Sequence, residues 1–341
     1  MSDAGVTALP PEVAAGDLRV LLDDTEVVLV SYRSRSHVEE LLASWPQALR
    51  VVVVDNTDDA DGLRDVIAHH AHARHLYGGG QGFGRSANAG ALSTDREFVV
   101  FVNPDCRPSA SDLARLVAGL RRDLTAAAHA ATMTGHDGEI EAGVGGWEPS
   151  VRRLVVHALG LGKRMPESGL FLAAHPGRRY DVDWTTGACM AVRSSAFRML
   201  GGFDETFFVY AEDVSFGRSA RRHGLRTVLR EDVRVRHGAG GSGAPSLEML
   251  RLRGASFAGY LVRYHGWRSV PMRGLMVLGA TLRAVVAAMR GNSDVAAQQR
   301  AFILGHVTRR AFVGGREVAR ARFDETAGRR STAAPSTLAP G

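Results

Sequence analysis

Apolar residues come first in short unbroken runs along this chain and later at helical spacing. Val27-Val28-Leu29-Val30 runs into Ser31, Val51-Val52-Val53-Val54 ends in Asp55, and Phe98-Val99-Val100-Phe101-Val102 ends in Asn103-Pro104-Asp105. Runs with no polar interruption predict strands buried on both faces. Between them, helical periodicity covers 37–44, 62–73 and 86–92, with a short strand near His75-Leu76-Tyr77. Ser111 is placed to cap a further helix that ends near Leu124. This alternation predicts an α/β fold whose mostly parallel sheet is flanked by helices.

The pattern then loosens. Residues 132–146 are Gly-rich and polar and predict loops with an irregular hairpin, 151–161 a short amphipathic helix, and 163–179 a loop able to cover a substrate. Gly201-Gly202-Phe203-Asp204 makes a turn, aromatics follow, and Glu212-Asp213 opens a helix carrying Val214, Phe216 and Ala220. Arg221-Arg222-His223 before Gly224 is a C-terminal stop. A strand through Val233–Arg236 reaches His237, and beyond residue 245 the spacing is helical over 247–264, 275–289 and 295–312, with a break at Gly266. The expected division is a disordered or loosely attached start (1–23), an α/β domain (24–245), a helical extension (246–326) and a disordered tail (327–341).

Charge separates the last third from the rest. The net charge is +6, but residues 246–341 hold 15 Arg against 5 acidic residues, a charge of +10 that leaves −4 for residues 1–245. The segment 275–289 sets Val277, Leu278, Leu282, Val285, Val286 and Met289 among Arg273, Arg283 and Arg290. It reads as too short to span a bilayer, and either lies on an anionic membrane surface or packs on the α/β domain. No stretch reaches the roughly 20 apolar residues of a spanning helix. No nucleic-acid module accompanies the basic tail. Cys106 and Cys189 form no metal or disulfide framework, and the N-terminus lacks a basic, apolar leader, so a cytoplasmic location is expected.

The candidate chemistry lies at strand ends. In open α/β sheets ligands bind beyond the carboxyl ends of the strands, where Asp55 and Asp105 both fall. Each alone can merely cap a turn, but two on one edge with the loop Gly78–Gly84 between them suit a phosphate-bearing ligand and a divalent ion such as Mg or Mn. Gly82-Phe83-Gly84-Arg85-Ser86-Ala87 matches the dinucleotide pattern G-x-G-x-x-A, yet it follows the third strand, whereas that fingerprint follows the first. His69, His70, His72 and His75 lack cysteine or carboxylate partners at ligand spacing and read as a solvated face. Glu212 and Asp213 suit a helix start as caps, because first-turn N–H groups favour negative charge.

In this order the motifs resemble the family 2 glycosyltransferases, particularly their rhamnosyltransferase-like bacterial branch, over about residues 26–242. The residues that carry the resemblance are Val54-Asp55-Asn56, Gly82-Phe83 with Asn88-Ala89-Gly90, the Asn103-Pro104-Asp105 version of the D-x-D motif, and Trp184 with Gly187-Ala188. The most specific are Gly201-Gly202-Phe203-Asp204-Glu205 through Tyr210, Glu212-Asp213, Gly224 and His237. The resemblance implies a GT-A-type fold and an inverting, metal-dependent, non-processive transfer of a sugar, rhamnose or a related hexose, from a nucleoside diphosphate sugar to an acceptor hydroxyl in cell-envelope assembly. It implies Asp213 as catalytic base and Asp105 with His237 as ligands of Mg or Mn. Donor binding falls to Ser31, Tyr32, Arg33, Asp55, Gly82, Phe83, Asn88, Asn103 and Asp105, and acceptor binding to Trp184, Gly187 and Glu212. Trp184 is either an apolar wall of the site or a core aromatic. The implied acceptor is a saccharide or a polyprenyl-diphosphate-linked one, met at the inner face of the plasma membrane.

Two departures stand out. The family often has Asn where Gly80 stands and a second Asp where Ser215 stands. The Q-x-x-R-W signature of processive synthases is absent from the sequence. A sugar-1-phosphate nucleotidyltransferase would share the acidic edge but carry a basic glycine-rich loop after the first strand, where this chain has Tyr32-Arg33-Ser34-Arg35. A non-catalytic sugar-nucleotide-binding member is the other alternative, and Ser215 is its support.

Overall fold

The apolar runs form the first half of a nine-stranded sheet. In the computed structural model, which describes residues 15–57, 59–141, 143–162, 164–165, 167–172, 174–175, 179–238 and 246–308, helix α1 (Ala15–Asp24) precedes strand β1 (Thr25–Ser31). There follow α2 (Arg35–Ser44), β2 (Val51–Asp55), α3 (Leu63–Ala68), β3 (Ala73–Tyr77), α4 (Phe83–Leu92) and β4 (Phe98–Val102). β2 and β4 are buried along their whole length, and the four strands pair in parallel in the order β3-β2-β1-β4. Valine-rich strands covered on both faces favour this arrangement.

The second half is mixed. The chain continues through β5 (Cys106–Arg107), α5 (Ala110–Arg122), β6 (Ala126–Thr134), β7 (Gly145–Gly146), α6 (Val151–Ala158), β8 (Tyr180–Val182), β9 (Trp184–Thr185), β10 (Cys189–Arg193), α7 (Ser194–Met199), α8 (Glu212–Arg222) and β11 (Arg226–His237). β10 runs antiparallel between β4 and β6, β11 is parallel to β6, and β5 and β8 pair antiparallel with β11. The sheet is therefore mixed, parallel through β3-β2-β1-β4 and again between β6 and β11 and antiparallel at its other pairings, where a mostly parallel one was expected. β6 was not anticipated. Its sequence, Ala-Ala-Ala-His-Ala-Ala-Thr-Met-Thr, has little strand propensity and is fixed by burial between two neighbours.

Other boundaries shift for local reasons. Ser109, not Ser111, caps α5, because Ser109 and Asp112 satisfy each other's backbone N–H groups in a capping box. α3 ends at Ala68, short of the expected 73. Residues 15–23, expected to be loose, form most of α1, where Val20 and Leu21 are buried and Asp17 pairs with Arg122 of α5. Residues 1–14, the expected helix end at 309–312 and the expected tail at 327–341 lie outside the described residues.

The extension is integral to the domain. Helices α9 (Ser246–His265), α10 (Ser269–Met289) and α11 (Ser293–Thr308) follow, with a 3₁₀ turn at Gly266–Arg268 between the first two. Tyr260, Leu261, Met272 and Met276 share a second core with Leu154, Trp184, Phe207 and Val214. The expectation that no stretch could span a bilayer is corrected: by length and composition the helical run Leu247–Met289 is long and apolar enough, with a mean hydropathy of 1.5 over its most apolar 18 residues. The break expected between helices at 266 only bends the run, since α10 begins at Ser269 rather than 275.

Candidate active site

Strand register brings the first residues together. Ser31 ends β1 opposite Asp55 at the end of β2, and Asn56 N–H donates to Ser31 O. The chain then turns so sharply that Arg33 takes φ 51°, a conformation few non-glycine residues adopt. This leaves the Arg33 guanidinium exposed over the Tyr32 ring, 5.7 Å from its centroid, at the sheet edge. Asp55 is different from expectation. Its carboxylate is fully buried and accepts from Thr57 N–H (2.8 Å), Thr57 Oγ1 (2.7 Å) and the Asp59 backbone, with His75 Nε2 at 3.2 Å. These partners use both oxygens, so Asp55 shapes the turn and offers a donor no free acceptor here.

A second register builds the metal pair. β5 and β11 align Cys106 with His237, so Asp105 stands beside the imidazole, and Gly238 N–H donates to Asp105 O at 2.9 Å. His237 Nε2 lies 3.5 Å from Asp105 Oδ1, and Nδ1 lies 3.0 Å from Glu141 Oε2. The hydrogen bond to Asp105 holds His237 up at about 9 against the effect of burial, and Glu141 adds to it. Cys106, also close by, is fully buried, which pushes its thiol well up. One carboxylate oxygen and, once the imidazole gives up its proton to an incoming cation, one imidazole nitrogen, both partly open to solvent, fit a hard or borderline divalent ion that completes its shell with phosphate and water. Sequence reading missed Glu141. It lies in a glycine-rich loop, and only its acidity distinguishes it.

The acid pair is set by strain and by its neighbours. Asn88 of α4 accepts from Phe203 N–H (2.8 Å) and donates to Phe203 O (2.9 Å), locking the Gly-Gly-Phe-Asp turn. Its amide is used there, which corrects its assignment to donor binding. Gly82, at φ 91°, lets Phe83 N–H reach Phe208 O at 2.8 Å; a Cβ on Gly82 would sit 2.1 Å from that oxygen. Phe83 packs on Phe203 with ring centroids 5.9 Å apart, so it supports the turn from the core side. Tyr210 and Ala211 then both take positive φ, 65° and 73°, before α8 begins. Non-glycine residues in this region cost stability and persist where surrounding structure imposes them.

At the start of α8 the two carboxylates differ. Glu212 is buried, its Oε2 has no hydrogen-bond partner among the described residues, and burial together with the Asp213 charge pushes it well above the usual carboxylate range. Both influences favour its neutral form. Asp213 remains partly exposed, and its Oδ1 accepts from Val214 N–H at 2.8 Å. Burial raises it to about 6, over the opposing effects of that N–H and of Arg253. The Tyr210 phenol, raised mainly by burial, feels the charges of Arg253, Glu212, Asp105 and Asp213 together. Asp105, Glu212 and Asp213 are thus all close enough to Tyr210 for their charges to act on its phenol.

Three further residues sort as follows. Trp184 is only 6% exposed, packs edge-on to Phe171 at 6.0 Å and donates to Trp147 O at 3.3 Å, so it is a core aromatic and not a wall of the site. Gly187 lies against the Phe83 and Phe203 rings and offers no surface to an acceptor. Asn103 N–H donates to Ala188 O and its carbonyl accepts from Cys106 N–H, forming the turn that presents Asp105. Among the histidines, His69 and His72 are exposed as expected, but His70 is buried.

Ser215 has a structural explanation. Its hydroxyl lies 2.7 Å from the Tyr264 hydroxyl, which donates to Asp204 Oδ2 at 2.9 Å. Tyr264 belongs to α9, so the polar group paired with Ser215 comes from the extension.

Residues 27–155 match the family model described as Glycosyl transferase family 2. An N-acetylglucosaminyl-diphospho-decaprenol L-rhamnosyltransferase of Mycobacterium tuberculosis is 28% identical over 276 residues, covering 74% of this chain and 89% of that protein. A rhamnosyltransferase of Escherichia coli is 24% identical over 206 residues, 55% of this chain and 73% of its own length. Among solved structures, a mannosyltransferase of Pyrobaculum calidifontis in complex with GDP-Man and Mn2+ superposes with a TM-score of 0.51 at 16% identity, covering 84% of this chain and 87% of that one. The last likeness establishes the shared fold.

Proposed function

We propose, from the premise that this chain belongs to the family 2 glycosyltransferases, that it transfers a single rhamnosyl or related hexosyl unit with inversion. The donor is a nucleoside diphosphate sugar and the acceptor a polyprenyl-diphosphate-linked saccharide. The observation that carries this reading is the partly exposed Asp213 at the start of α8 together with the Asp105–His237 pair, the charges of Asp105 and Asp213 both acting on the Tyr210 phenol. Asp213 accepts the proton of the acceptor hydroxyl as that oxygen bonds to the anomeric carbon. The bond from that carbon to the nucleoside diphosphate breaks, and the pair of electrons leaves on the diphosphate oxygen. Of the pair, Glu212 is the more deeply buried and pushed further toward its neutral form, which favours Asp213 as the base. Asp105 and His237 would hold a divalent ion, Mg or Mn, which would offset the charge growing on the leaving diphosphate. Ser31, Tyr32 and Arg33 line the donor side at the ends of β1 and β2.

The extension suits a lipid-linked acceptor at the cytoplasmic face of a membrane. α10 buries Met272, Met276, Gly279 and Ala280 and turns Val270, Leu278, Val285 and Met289 outward. Arg283 of α10 donates to His157 O of α6, and Arg273 to His306 O of α11. A helix tied to the domain along one side lies on a bilayer and does not cross it. The test is a screen of nucleoside diphosphate sugars with a short-chain polyprenyl-diphosphate N-acetylglucosamine acceptor, read by released nucleoside diphosphate and by the anomeric configuration of the product. Release that depends on acceptor and is abolished by a chelator is expected. Retained configuration would overturn inversion, and chelator-insensitive turnover would overturn the metal site.

A further inference from the structure

Helix α9 delivers to the catalytic cleft a cation that neither the donor site nor the metal pair uses. Arg253 is exposed, and its Cζ lies 5.9 Å from the ring centroids of both Phe171 and Tyr210. Its Nη2 lies 3.7 Å from where a Cβ on Gly143 would stand. No hydrogen bond or ion pair engages it among the described residues, whereas the nearby arginines Arg218 and Arg221 are both taken by Glu148. Tyr210 lies three residues before Asp213, and the Arg253 charge reaches that carboxylate.

A guanidinium steadied between two aromatic faces is oriented without being neutralised. Its planar fork matches phosphate oxygens and can bind them bidentately. The bland reading, an arginine that merely covers two rings, leaves unexplained why its fork makes no hydrogen bond or ion pair among the described residues while Asp213 reaches it only through its charge. The donor diphosphate would be met through a divalent ion held at Asp105 and His237, which leaves the molecule that Asp213 deprotonates as the source of the anion for Arg253. The same extension also carries the outward apolar face of α10, which places lipid, phosphate and acceptor sugar in the order a lipid-diphosphate-linked saccharide presents them.

We propose that Arg253 is an acceptor-recognition residue whose guanidinium binds the diphosphate joining the acceptor sugar to its lipid. This rests on the glycosyltransferase reading above. It makes the C-terminal extension the source of selectivity for diphosphate-linked over uncharged acceptors.

The experiment compares full-length wild type with Arg253→Ala and Arg253→Lys on two acceptors of the same sugar, citronellyl-diphosphate N-acetylglucosamine and the uncharged octyl N-acetylglucosaminide. Thermal melting and donor KM serve as controls for folding and for the donor site. In Arg253→Ala, KM for the diphosphate acceptor should rise by about 10- to 100-fold, while KM for the octyl glycoside stays within about twofold of wild type. Arg253→Lys should recover part of the loss, because it keeps the charge without the fork. Equal losses on both acceptors would show a packing role and overturn the proposal, as would no loss on either. If wild type transfers to neither acceptor with any donor, the underlying functional reading fails. If wild type transfers to both and Arg253→Ala leaves their ratio unchanged, only the Arg253 proposal fails.

Discussion

Asp213→Asn tests the centre of the site, because it removes a proton acceptor while preserving shape. The Val214 N–H that now meets Asp213 Oδ1 at 2.8 Å can donate equally well to an amide oxygen, so the start of α8 should keep its geometry. Loss of a general base costs about 10²- to 10⁴-fold in kcat, which at about 1.36 kcal/mol per factor of ten is about 3–5 kcal/mol of transition-state stabilisation. Donor affinity, measured by calorimetry, should be unchanged. The pH profile supplies a second reading. Burial holds Asp213 above an ordinary aspartate, at about 6, and only its ionised form can accept a proton. Activity should therefore be full above that value and fall by about tenfold per pH unit below it. Glu212→Gln is the control. Burial and the Asp213 charge push Glu212 toward its neutral form, so a neutral amide should leave kcat within about threefold of wild type. Wild-type turnover in Asp213→Asn, or greater damage in Glu212→Gln, would refute the assignment.

Four other outcomes follow from packing and charge. Glu141→Gln should weaken Mn2+ binding by about 10- to 100-fold, read by electron paramagnetic resonance of free Mn2+, because it loosens the hydrogen bond that fixes His237; unchanged affinity would separate Glu141 from the metal pair. Gly82→Ala should cost about 2 kcal/mol or more in urea unfolding, because the new Cβ would meet Phe208 O at 2.1 Å at a φ of 91°. An unchanged midpoint would count against that close approach. Ser215→Asp should lower stability by about 1–3 kcal/mol without raising activity, since it sets a second carboxylate against the Tyr264–Asp204 hydrogen bond; a gain in turnover would contradict this placement. Leu282→Glu with Val286→Glu should reduce co-sedimentation with anionic liposomes at unchanged melting temperature, as both side chains are nearly half exposed, at 44% and 45%. Equal sedimentation would remove the membrane-facing role of α10.

What could be read from the sequence follows the range of the forces involved. β1, β2 and β4 were legible because each is a run of residues that must be buried on both faces. Asp105 and the acid pair were legible because they terminate or begin such elements. β6 was not, since alanines carry no strand signal and only their neighbours in the sheet impose the conformation. Glu141 was hidden for a similar reason: its meeting with His237 is a contact across 96 residues of chain. Asn88 and Trp184 show the opposite error. Both belong to the motif pattern, yet one secures a turn and the other fills the second core, so motif membership located the site without separating the residues that touch substrate from those that hold its walls.

The extension is where local reading was least informative and the structure adds most. Ser215 looked like a gap in the acidic cluster, and a gap there would favour a member that binds without turnover. The position in fact faces α9, where Tyr264 meets both Ser215 and Asp204, and Tyr260 donates to Glu148 Oε2 at 2.8 Å. Glu148 also takes Arg218 and Arg221 of α8, and these partners with His265 bring its carboxyl down to about 2 despite burial. A carboxylate that a catalytic cluster lacks at this position has thus been replaced by a polar seam joining α8 to the extension. Asp213 lies in the first turn of α8, so a shift of α9 would be transmitted through this seam to the helix that carries the proposed base. If Arg253 binds the acceptor as proposed, acceptor binding at α9 and the position of Asp213 on α8 are linked through these contacts.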